Sequence, residues 1–148
     1  MADMHKNIPV PSPGPSTATP SSTNTPDGQI FASAVRGAAT YVSDERMNAN
    51  WKGVRLYINR TVATGTVTVS IEGKDPVTDT WFTITGATTA ALSSAIATTL
   101  TLYPGITAAA GTATTNTEVS SFLPNLWRVK AVVATDTTTW SIGAEYLL

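Results

Sequence analysis

Very few residues of this chain have side chains suited to chemistry. It has a single histidine, His5, and no cysteine at all. His5 lies in a proline-rich stretch with no G-x-S-x-G elbow anywhere to partner it, so it reads as a solvated side chain rather than a general base. The absence of cysteine excludes disulfides, thiolate nucleophiles and Cys-ligated metals. Paired acids could run glycoside hydrolysis, but Asp44 and Glu45 are sequence neighbours, and on a strand they would point to opposite faces. Asp75 and Asp79 flank one connection, where aspartate ordinarily makes turn hydrogen bonds. They are the better candidates for a calcium site, yet lack the dense D-x-D-x-D spacing of calcium loops. Gly65 and Gly73 are isolated turn or bulge glycines, not a phosphate-binding loop. The eight Trp and Tyr side chains at 41, 51, 57, 81, 103, 127, 140 and 146 could stack on sugars. Most fall at apolar phases of strands, where core or subunit-interface packing is the plainer reading. These residues predict no enzyme, no cofactor and no metal.

Composition points the same way. The formal net charge is −1 and 13% of residues are charged, against ~25% in an average globular protein. That leaves no basic footprint for nucleic acid. A surface so poor in charge and rich in Thr, Ala and Ser suits burial against partners, or an extracellular β-protein. No apolar run reaches the ~20 residues of a membrane-spanning helix. The N-terminus lacks the apolar core of a signal peptide, which predicts synthesis in the cytoplasm without export by the general route.

Two regions must position whatever function remains. Residues 1–28 hold Pro9, Pro11, Pro13, Pro15, Pro20 and Pro26 among serines and threonines. Proline fixes φ and removes a donor, so this stretch predicts an extended or polyproline-like arm rather than a helix or central strand. Residues 29–148 predict one β domain. Gln29 to Ala39 reads as a short strand or docking segment, with Ile30, Ala32 and Ala34 on one face and Phe31, Ser33 and Val35 on the other. Further strands are expected over 40–43, 51–62, 66–72, 80–85, 95–103, 126–134 and 139–148, with a long Ala/Thr/Gly loop at 106–118 as a candidate contact surface. Val54, Leu56 and Ile58, then Val67, Val69 and Ile71, then Trp127, Val129 and Ala131 mark the inward faces. About seven strands with one apolar face each, and no helix, predict an antiparallel β-sandwich of jelly-roll or Ig-like type. Its spare edges are available for pairing with the arm of a neighbour.

Five stretches carry a family likeness. They are Trp51-Lys52-Gly53-Val54, Ile71-Glu72-Gly73-Lys74-Asp75-Pro76, Leu102-Tyr103-Pro104-Gly105, Leu123-Pro124-Asn125-Leu126-Trp127-Arg128-Val129 and Trp140-Ser141-Ile142-Gly143-Ala144. Over roughly residues 40–148 the chain resembles small β-sandwich virion proteins of phages and prophages; the arm lies outside the likeness. The resemblance implies a virion component on the outer capsid surface, a head decoration (cement) protein that binds the major capsid protein and further copies of itself, as a trimer at a three-fold or quasi-three-fold position. A tail or head–tail junction component and a carbohydrate-binding host-adhesion module are the alternatives. On the leading reading the arm and its junction make the contacts, through Ile8, Pro9, Val10, Pro11, Pro13, Ile30 and Phe31, with the prolines reducing the entropy lost on docking. Within the motifs, Lys74 and Asp75 are expected to pair or cap across their turn. Arg128 is expected to stack beside Trp127 or bridge to a carboxylate such as Glu145.

Overall fold

A computed structural model describes residues 28–113 and 115–148 of the chain. They form ten strands: β1 (Gln29–Arg36), β2 (Ala39–Val42), β3 (Arg46–Met47), β4 (Gly53–Ala63), β5 (Val67–Lys74), β6 (Trp81–Thr88), β7 (Ile96–Leu102), β8 (Thr117–Val119), β9 (Leu126–Val133) and β10 (Thr138–Leu147). One sheet runs in the order β1-β10-β4-β7-β8. The other runs β2-β9-β5-β6, with β3 continuing beside β9 below β2.

The alternation read from the sequence is what folds the two sheets onto each other. Val54, Leu56 and Ile58 of β4, Val67, Val69 and Ile71 of β5, Trp127, Val129 and Ala131 of β9 and Trp140 and Ile142 of β10 are all essentially buried, in one core shared by both sheets. Burying a side chain of this size contributes about 1.5–3 kcal/mol, and the strands have no other way to bury that face. The fold is therefore all-β with two packed sheets, consistent with a β-sandwich.

Several expectations need correction. There are ten strands rather than about seven, because the segment left open as a strand or docking segment is the strand β1, and β3 and β8, only two and three residues long, carry no legible alternation. The sheets are not purely antiparallel: β8 pairs with β7 in parallel. The long loop is less open than expected, since Ala109 and Glu118 exchange backbone hydrogen bonds of 2.9 and 2.8 Å. In β1 the simple alternation fails. Register shifts on either side of Phe31 insert extra residues, so Ile30 and Phe31 are both half-buried while Ala32 to Val35 are all exposed.

Candidate interaction surface

The carboxylates are committed to the fold. Both oxygens of Asp75 hold their own turn, accepting from Val77 N at 2.8 Å and Thr78 Oγ1 at 2.6 Å. The Thr78 hydroxyl and then the Val77 amide keep its carboxyl below the ordinary range. Asp79, at φ 60°, pairs with Lys74 at 2.7 Å, and Glu45 reaches the same ammonium at 3.3 Å. The hydrogen bond to Asp79 is the largest cause of a raised Lys74 pKa. Lys74 thus bridges to Asp79 and Glu45 while Asp75 caps the turn, a division of labour the motif alone left open. No group of three His, Cys, Asp or Glu able to hold a metal occurs among the described residues.

On the outer face of β5 and β9, Glu72 accepts from Arg128 at 2.8 Å and Lys130 at 2.5 Å. Burial pushes the Glu72 carboxyl up. The hydrogen bonds from Lys130 and Arg128, with their charges, outweigh it and hold the carboxyl below its ordinary value. Arg128 lies 4.3 Å above the ring of Trp81. The expected partners of Arg128 are therefore replaced. Trp127 points into the core because successive strand residues face opposite ways, and Glu145 is held on the other sheet by Tyr57 at 2.6 Å and Arg55 at 3.9 Å.

One end of the molecule is different in kind. It comprises the start of β4, the ends of β5, β7 and β10, the starts of β6 and β9, and β3. Asn48 locks it. Its side chain donates to Trp51 O at 2.9 Å and Leu123 O at 3.0 Å and accepts from Trp51 N at 2.9 Å, while its own amide donates to Asn125 O at 2.7 Å. Trp51 stacks on Tyr146 at 5.6 Å between centroids, and Tyr146 meets Trp127 edge-on at 5.8 Å. A side chain at Gly73 would press on Pro124 at 2.9 Å, so the glycine admits that close approach. Around this frame stand Val77 (90% exposed), Met47 (77%), Leu148 (74%), Phe122 (70%), Phe82 (52%) and Trp51 (37%). They are six of the ten large apolar side chains exposed among the described residues. Exposed apolar side chains gathered at one end in this way are suited to docking a partner.

Of the residues expected to bind a partner, Ile8, Pro9, Val10, Pro11 and Pro13 lie outside the described residues. Ile30 and Phe31 are at the start of β1, packed against the core. Phe31 meets Trp140 edge-on at 5.1 Å, and Arg36 lies 4.0 Å over the Trp140 ring. Phe31 also lines a shallow groove of about 490 Å³ between β1 and β10, with Gln29, Ser33, Ser141, Ile142 and Gly143. Reading the sequence missed Asn48, seen only as a chain break, and Phe122, which sits in no strand. Neither has a periodic signal.

No family model, curated protein or solved structure matches the chain.

Proposed function

We propose that this chain is a structural subunit of a phage virion, a decoration protein that binds the head shell through its apolar end and its N-terminal arm. One observation carries the reading. Four of the five stretches on which the family likeness rests, those beginning at Trp51, Ile71, Leu102 and Leu123, are far apart in sequence and meet at the apolar end. Val54 pairs with Leu102, Gly73 with Trp127, and Leu123 N donates to Lys52 O at 3.0 Å. Their shared location at the exposed apolar surface supports a role in contact, and many weak contacts repeated over a shell add up to strong attachment. The glycan-binding alternative asks for a row of exposed rings on one face. The exposed rings here are divided: Tyr57 stands on the outer face of β4, whereas Trp51, Phe82 and Phe122 stand at the apolar end.

Position and copy number in purified particles test this, by quantitative gel and cryo-electron microscopy of wild-type and gene-deleted virions. Many copies over the shell, and deletion particles that burst at lower temperature, are expected. A few copies at one vertex or on the tail would move the assignment to a junction or tail component, and absence from the particle would overturn it.

A further inference from the structure

We infer that the open edge of β6 receives residues 8–16 of a second copy as an added strand. The inference rests on the reading of the chain as an assembly subunit and names the edge and the residues that join. An unpaired strand edge is a template for further pairing unless it is short, charged, bulged or covered, and the molecule has four edges to compare. Ala109 covers β8 through its two hydrogen bonds to Glu118. The β2–β3 edge is broken into four- and two-residue pieces around Asp44 and Glu45. β1 carries two register shifts, and the Arg36 guanidinium folds onto the carbonyls of Ala32 (2.8 Å), Ala34 (3.3 Å) and Trp140 (2.8 Å). β6 also carries a register shift, between Thr83 and Thr88, but it is neither covered nor charged. Its first five residues, Trp81-Phe82-Thr83-Ile84-Thr85, contain no charge and no proline, and among the described residues no strand or loop pairs with their outer side.

The arm sequence fits an edge of that kind. In an antiparallel strand the N–H and C=O of alternate residues point to the same side. Residues 8–16 read Ile-Pro-Val-Pro-Ser-Pro-Gly-Pro-Ser. When extended, Ile8, Val10, Ser12, Gly14 and Ser16 turn all their donors to one side, and Pro9, Pro11, Pro13 and Pro15 leave the other side without any. Such a strand can add to one edge and cannot be extended further, which limits runaway sheet growth. The residue before each proline is itself restricted to extended backbone. The same alternation puts Ile8 and Val10 on one face, where they would continue the core-facing row of β6, buried Ile84 and half-exposed Phe82.

The donor is a second copy because of where each element lies. The arm joins the body at Gly28, beside β1 at one edge of the molecule, whereas β6 borders β7 and β8 at the opposite edge. A donor on one edge and an acceptor on the other make a head-to-tail contact, which generates a closed ring or a chain rather than a two-fold dimer.

The chain has no cysteine, so cross-linking of the full-length protein is clean. Copies carrying only Ser12→Cys are mixed with copies carrying only Phe82→Cys, whose side chain shares the face of Ile84, under mild oxidation. A disulfide-linked pair between the two is expected, and none when Ser33→Cys on β1 replaces Phe82→Cys. No link to β6, or a link formed only when both cysteines are in one chain, would overturn the inference. Separately, Val10→Pro with Ser12→Pro is expected to weaken self-association in sedimentation by roughly tenfold or more, since each added proline deletes a donor on the pairing side. Unchanged sedimentation would also overturn it. The β6 link with no protein on particles would count against the virion assignment alone. Particle binding without the link would count against β6 alone.

Discussion

The two ends of the sandwich solve opposite problems. At the end formed by the close of β4 and the start of β10, a charge is buried among carbonyls. Arg60 is 1% exposed and, among the described residues, has no carboxylate partner. It donates to Thr138 Oγ1 at 2.7 Å, to Leu92 O at 2.7 Å, to Ser94 O at 3.1 Å and to Gly65 O. One guanidinium thereby ties β10, the loop before β7 and the β4–β5 turn together, and desolvation lowers its pKa. At the far end the polar work is done by Asn48, and apolar side chains are left in solvent. Burying a charge is worthwhile only when every donor is satisfied, so the Arg60 end is specified for stability. Exposed apolar area lowers solubility unless something covers it, which is why contact is proposed for the other end.

The comparison breaks most easily at Arg60. Arg60→Met is expected to lose about 3–5 kcal/mol of stability in denaturant unfolding, because several buried acceptors lose their donor together. A loss under about 1 kcal/mol would show that water replaces the guanidinium and that the end is not locked as described. Glu72→Gln comes next, at about 2–3 kcal/mol, since it strips two cations of a buried carboxylate. Its pH dependence has a definite sign. The folded carboxyl titrates below its unfolded value of about 4.3, so its contribution is fully present above that value and is lost as pH falls through the folded one. Thermal melts across the acid range are therefore expected to be shallower in Glu72→Gln than in the wild type.

At the contact end the order reverses. Asn48→Ala is expected to cost about 1–2 kcal/mol, through the carbonyls of Trp51 and Leu123 that lose their donor. It should also loosen Trp51, visible as a red shift of tryptophan emission. Met47→Ser with Phe122→Ser should change stability by less than about 0.5 kcal/mol, as exposed substitutions do, and reduce copies bound per particle by roughly tenfold. Equal binding by this double variant would move the contact surface away from the apolar end.

How much of this was legible beforehand follows from periodicity. The inward rows of β4, β5 and β9 are read correctly because alternation on a strand is a local property of the backbone. Arg60 sits in the same row, two residues beyond Ile58, and that phase is a readable signal of burial; its four acceptors are not, since they come from segments up to 78 residues away. Arg128 shows the limit on the other side. Its outward phase follows from its neighbour Trp127, but its partners Glu72 and Trp81 depend on which strands lie beside β9. The two shortest strands and the parallel pairing of β8 have no local signature, and the register shifts in β1 reverse an alternation that otherwise reads cleanly.

The sequence by itself determined an all-β body with its apolar rows, the poverty of catalytic side chains, and the alternating prolines of residues 9–15, because each of these is set by residue type and nearest neighbours. Only the tertiary structure decided that four separated motifs meet at one exposed apolar end, that a lone arginine locks the other, and that among the described residues β6 has no partner on its outer side while β8 is covered by Ala109. Those outcomes depend on strand order and register, which are fixed by packing two sheets over one core and not by any short stretch of chain.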